Sequence, residues 1–179
     1  MFDLIIRGDQ VVTPQGIGAW DICILGETIA AIAAPGNFDD SQASQVIDAK
    51  GKIVIPGGID PHIHSLWHIP PLEEGGEVSW TDGPDVVSKA AIHGGTTTLL
   101  DFANWQQSGT LEEVINIRKQ DWNGNCYADY GYHVMLQGAI PPEILPQIGE
   151  VIQEGYPSIK IFTTDITPSR RGRKITHGH

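Results

Sequence analysis

The chain has 179 residues, 40% of them hydrophobic and 18% charged, which is enough apolar surface for a core and too little charge for a disordered segment. Its formal net charge of −11 excludes the basic surface that a nucleic acid or an anionic membrane demands, and no apolar run approaches the ~20 residues of a membrane span. Two cysteines, Cys23 and Cys126, form no CxxC pair, and the opening Met-Phe-Asp-Leu-Ile-Ile-Arg-Gly has no export-signal pattern, so a soluble cytoplasmic protein with reduced thiols is expected.

The first ~55 residues read as β structure. Asp3 to Thr13 is apolar at Leu4-Ile5-Ile6 and Val11-Val12, with a break at Gly8-Asp9. Asp21 to Ala33 carries Ile22, Ile24, Ile29 and Ile32 around a turn at Gly26-Glu27, and Gln45 to Ile55 turns at Lys50-Gly51. Short strands punctuated by Gly, Asp and Pro predict hairpins in a small sheet.

From Pro56 the pattern changes to strands alternating with helices. Lys52-Ile53-Val54-Ile55 runs into Pro56-Gly57-Gly58-Ile59-Asp60, and after a long loop the spacing predicts a helix over Pro84 to His93, with Val86, Val87, Ala90 and Ala91 as its apolar stripe and Gly94-Gly95 as its stop. A strand at Thr96 to Phe102, a helix at Leu111 to Trp122 with Leu111, Val114 and Ile115 inward, and a strand at Tyr130 to Leu136 follow. The last helix, Pro142 to Glu154, is expected to bury Ile144, Leu145, Ile148, Val151 and Ile152, and Ser158 to Phe162 is the last strand. Such alternation predicts parallel strands joined by crossover helices. Chemistry at the carboxyl ends of several strands, with no GxGxxG after the first, favours a barrel over a dinucleotide-binding sheet.

The strongest local signal is Pro56-Gly57-Gly58-Ile59-Asp60-Pro61-His62-Ile63-His64. Residues two apart in extended backbone face the same way, so His62 and His64 can reach one metal ion, and imidazole suits zinc and similar metals. Asp60, between strand and ligands, either orients a histidine or simply forms the turn before Pro61; Asp101, at the end of the next strand, is a similar candidate. His68, in the following loop, is a candidate substrate-pocket residue. His93 suits a helix C-terminus, His133 a core or supporting position, and His177-Gly178-His179, behind a short basic run, a surface loop.

The run from Ile55 to His64 resembles the first-strand signature of the amidohydrolase superfamily, in particular its dihydropyrimidinase, hydantoinase and allantoinase group. Asp3-Leu4-Ile5-Ile6-Arg7-Gly8, Gly94-Gly95-Thr96-Thr97-Thr98 with Asp101-Phe102, and Asp129-Tyr130-Gly131-Tyr132-His133 match that group in order and spacing, and Lys160 falls where it carries a carboxylated lysine. The resemblance implies an α/β fold: a (βα)8 TIM-type barrel whose first four or so strands lie in residues 56–179, preceded by a small β-sandwich-like domain begun by residues 1–55. It implies two divalent metal ions, Zn2+ foremost, held in part by His62, His64 and Lys160 as N6-carboxylysine. A hydroxide shared by ions about 3.5–4 Å apart would attack the amide carbon of a small cyclic amide. The remaining ligands and the general base would come from later strands, and a homo-oligomer is expected.

Two departures bear on substrate. Asp165 stands where hydantoinases and dihydropyrimidinases carry a substrate-binding Tyr, and Leu66 where dihydroorotases carry an Arg. A non-catalytic scaffold relative and an inert half-barrel are the competing readings. The intact His62, His64 and Lys160 favour the enzyme.

Overall fold

The structure is a computed structural model and describes residues 1–69, 71 and 76–162. Its architecture is mixed α/β, in two compact units that divide at Pro56/Gly57.

The first unit is a five-stranded sheet of β1 (Phe2–Thr13), β2 (Gly16–Leu25), β3 (Thr28–Ala33), β4 (Ala43–Asp48) and β5 (Ile53–Val54). β1 and β2 form an antiparallel hairpin, and β2 and β3 another around Gly26, whose φ of +59° suits a residue without a side chain. The strand from Gly16 to Trp20 was not anticipated from sequence, because Gly16 and Gly18 obscure its alternation. The expected hairpin at 45–55 is also corrected: β4 and β5 both pair with β1 in parallel. β2 occupies one edge of β1, and β1 is long enough for β4 to lie against Phe2–Arg7 and β5 against Gln10–Val11 on the other edge. The step between them falls at the register shift between Gly8 and Val11, where Ala49 N–H donates to Arg7 O at 2.8 Å and Gly51 N–H to Asp9 Oδ1 at 3.0 Å. Ile5, Val11, Ile22 and Cys23 are buried, and buried Asp21 accepts from Arg7 Nη1 at 2.5 Å.

The second unit is a parallel four-stranded sheet with helical crossovers. Its strands are β6 (Gly58–Asp60), β9 (Thr96–Trp105), β10 (Asp129–Leu136) and β11 (Ile159–Ile161), side by side in sequence order. α1 (Pro84–His93), α2 (Leu111–Trp122) and α3 (Leu145–Gln153) join them in turn, and a two-residue hairpin of β7 (His68–Ile69) and β8 (Ser79–Trp80) lies in the loop before α1. Ile53-Val54, which the sequence pattern runs into the metal motif, belongs to the first sheet. Pro56 has no N–H to continue that ladder, and the second sheet begins where Gly58 N–H donates to Gly95 O at 2.8 Å. A Cβ on Gly57 would stand 2.1 Å from Thr97 Oγ1, so this entry to the strand requires glycine. Among the described residues β6 is exposed and lies at the end of the strand order.

Alternate residues of β9 serve opposite sides. Leu99, Ala103 and Trp105 join the core under the helices with Leu111, Ile115 and Trp122 of α2. Thr110 caps α2 in a reciprocal box with Glu113. The other helices bury narrower stripes than expected. On α1 Pro84 and Ser88 are buried and Val87 and Ala91 half-buried, leaving Val86 and Ala90 exposed. The third helix opens with a 3-10 turn at Pro142–Ile144; Ile144 and Val151 are buried and Ile148 half-buried, whereas Leu145 and Ile152 face outward. Each outlier is one residue beyond the stripe, a rotation of about 100°. No helix among the described residues is long and apolar enough to cross a membrane.

Candidate metal centre

The segment after β6 is tied down residue by residue. Asp60 Oδ1 accepts the His62 backbone N–H at 3.0 Å, and Ile63 N–H donates to Leu100 O at 3.1 Å while its side chain packs on the core. His133 Nε2 donates to Pro61 O at 2.8 Å, and its Nδ1 meets Ser158 Oγ at 2.5 Å. Leu66 then turns the chain with a φ of +52°, a left-handed conformation uncommon for a branched side chain, and its N–H donates to Asp82 O.

These bonds leave His62 and His64 on one side, with ring centroids 5.2 Å apart and planes at 85°. Both rest against Phe102, buried on β9, whose ring centroid is 4.9 Å from each imidazole and 5.1 Å from that of His133. Lys160, central in β11, brings Nζ to 4.1 Å from the Phe102 centroid and 3.3 Å from His62 Nε2. Register explains the meeting: Phe102 pairs with His133, and Met135, two residues on, pairs with Lys160. The three residues singled out as metal ligands thus lie near one another, His62 and His64 just past the carboxyl end of β6 and Lys160 within β11.

Burial lowers the Lys160 pKa, and burial followed by the nearby Lys160 charge lowers that of His64. Both shifts favour neutral nitrogen with a free lone pair. His64 Nδ1 is buried and has no hydrogen-bond partner among the described residues, nor does Lys160 have a carboxylate partner there. Buried nitrogen without a partner is uncommon. An ion accepting the lone pairs would remove the anomaly, and the donor set, two imidazoles and a half-buried amine, fits a zinc-like divalent cation. No group of three His, Cys, Asp or Glu side chains able to hold a metal forms among the described residues, so a centre here would need the lysine.

The other candidates fall differently. Asp60 holds the His62 backbone, not its ring. His68 is exposed on β7, its ring 5.5 Å from Trp80, whereas Trp67 lies 4.3 Å from the His64 ring. Asp165, His177 and His179 lie outside the described residues. Asp101 touches neither histidine and is buried against Arg118. Phe102 and Arg118 were not assigned roles from sequence. Arg118 was legible, because it continues the buried stripe Leu111, Ile115, Trp122 at helical spacing, where a charge demands explanation.

The chain is similar to known proteins along most of its length. A model described as "Amidohydrolase family" matches residues 45–119. The chain is 36% identical over 160 residues to a D-hydantoinase of Streptomyces coelicolor, covering 88% of this chain and 33% of that protein. It is 32% identical over 137 residues to a dihydropyrimidinase of Rattus norvegicus, covering 74% and 25%. A crystal structure of a D-hydantoinase superposes with a TM-score of 0.77 at 34% identity, covering 94% of this chain and 34% of the other. The chain therefore spans about a third of the length of the curated relatives it matches.

Proposed function

We propose, from the premise that this chain belongs to the amidohydrolase superfamily, that the whole protein hydrolyses the C–N bond of a cyclic or closely related amide at a metal centre containing His62, His64 and Lys160. The observation that carries this reading is the approach of Lys160 Nζ to His62 Nε2 beside a buried, unpartnered His64 nitrogen. In the same reading the parallel sheet is the first half of a (βα)8 barrel, and the N-terminal sheet is one layer of a sandwich-like domain.

Lys160 would act as a carbamate. Its neutral amine adds carbon dioxide, forming an N–C bond and releasing one proton, which leaves one negative charge shared by two oxygens. The lowered pKa from burial favours this step, because an ammonium has no lone pair to add. The two imidazoles and the carbamate would hold a pair of divalent ions, with Zn2+ as the first choice. Such ions, when bound, ease ionisation of water and polarise the amide carbonyl. Around them Phe102 packs against both imidazoles and Trp67 against His64, and Asp60 and His133 hold the backbone that aims the histidines.

His68 and Asp165 are assigned to the substrate side. A carboxylate at position 165 accepts but does not donate a hydrogen bond at neutral pH, so a substrate offering a donor or cation there is preferred over a bare imide. Homo-oligomeric assembly belongs to the same reading. A cytoplasmic setting is supported by two free cysteines. The test is to purify the whole protein, measure bound metal, and assay hydantoins, dihydropyrimidines, allantoin and linear carbamoyl amides. Turnover of at least one class, lost on chelation and restored by metal, is expected. Neither metal nor turnover of any class would sink the proposal.

A further inference from the structure

Behind the sheet, on the side away from the histidines, lies a second polar cluster that filling space does not require. Asp101 of β9 is fully buried and Arg118 of α2 nearly so. Arg118 Nη2 donates to Asp101 Oδ2 and also to the carbonyl of Ser65, the latter at 2.8 Å, while Nη1 donates to Asp121 Oδ2 at 2.8 Å. The Asp101 carboxylate is further engaged by the Trp122 indole N–H at 3.1 Å and the Phe102 backbone N–H at 2.7 Å. Ser65 is buried too, its hydroxyl donating to Asp82 O at 2.9 Å. Removing two charges from water costs more than packing alone usually returns, and apolar side chains of the same volume often serve stability as well.

The covalent neighbours supply a reason. Ser65 follows His64, and Phe102, on which both imidazoles rest, follows Asp101. The ligand segment is thus gripped from both sides of β9: the Phe102 ring supports the imidazoles, and the Asp101–Arg118 pair holds the carbonyl behind them. The guanidinium serves two carboxylates and a carbonyl at once, Nη2 reaching Asp101 and Ser65 while Nη1 reaches Asp121, a spread across its planar fork that a single ammonium nitrogen does not reproduce.

On the metal-centre reading above, we infer that Asp101 and Arg118 are a positioning pair, which fixes the Ser65 carbonyl and through it the aim of His64 at a bound ion. Supporting residues of this kind change metal affinity by roughly 10–100-fold when lost.

The test uses the whole protein, stripped of metal and titrated with Zn2+ alone by equilibrium dialysis, beside thermal unfolding of the metal-free form. Arg118→Lys keeps the charge and loses the fork. Asp101→Leu/Arg118→Met removes both charges and leaves an apolar pair, so it keeps the fold even if the single variant does not. Both folded variants are expected to bind Zn2+ about 10–100-fold more weakly than wild type. A pair that serves only stability moves the unfolding midpoint and leaves Zn2+ affinity unchanged, and that result overturns the inference while sparing the metal centre. Failure of both variants to fold also overturns it, by assigning the pair to folding. Wild-type protein that binds no Zn2+ removes the metal reading itself, and this inference with it.

Discussion

Lys160 Nζ lies 3.3 Å from His62 Nε2 although 98 residues separate them in sequence. The amine and the imidazole meet over one buried ring, Phe102, with no carboxylate among the described residues to hold the lysine charge.

The first prediction follows from that pair. Lys160→Arg keeps a cation but its guanidinium does not form the carbamate, so bound metal in the whole protein should fall at least about 10-fold. Wild-type loading should rise with bicarbonate. It should decline as pH falls through the lowered Lys160 pKa, since protonation removes the lone pair that adds carbon dioxide. Elemental analysis after dialysis at several pH values measures both. Wild-type metal content in Lys160→Arg would remove the lysine from the centre.

Asp60 makes its bond to the His62 backbone, so its role is separable from charge. Asp60→Asn retains an acceptor and should stay within about 2-fold of wild-type metal affinity. Asp60→Ala should lose about 1 kcal/mol, or roughly 5-fold. Equal damage from both substitutions would mean that the negative charge matters and the turn does not.

In the N-terminal sheet Asp21 is buried against Arg7, which also donates to Asp40 and to Phe38 O. Arg7→Met leaves that carboxylate unpaired and should lower unfolding stability by about 1–3 kcal/mol. Adding Asp21→Leu should recover most of the loss. Urea titration of the three proteins gives the answer. An unchanged midpoint in Arg7→Met would show that water already satisfies Asp21.

The two thiols should react at different rates. Cys23 is fully buried, and burial, reinforced by Asp21, raises its pKa; Cys126 is half-buried and its S–H donates to Ala128 O. Limited access and a smaller thiolate fraction both slow Cys23. Iodoacetamide should label Cys126 at least about 10-fold faster in the folded protein, with the difference lost in denaturant. Mass spectrometry of peptides reports the order, and prior labelling of Cys23 contradicts the structure.

Local pattern carried a large part of this molecule. Helical spacing located α1 and α2, alternating strands implied the parallel sheet, and the two-residue interval of His62 and His64 put both rings on one side, because each depends on backbone geometry over a few residues. What escaped sequence reading depends on partners far along the chain. β4 and β5 join β1 on the edge that β2 leaves free, and pair with it in parallel, a matter of strand pairing that no local period encodes. Likewise Phe102 reads as one more apolar strand residue, and Arg118 as a charge on an apolar helix stripe with no partner in view, until β9 and α2 are packed. Only then does the ring touch two histidines and the guanidinium reach Ser65, since contacts across the sheet are set by register and burial, which arise when the whole unit closes on its core.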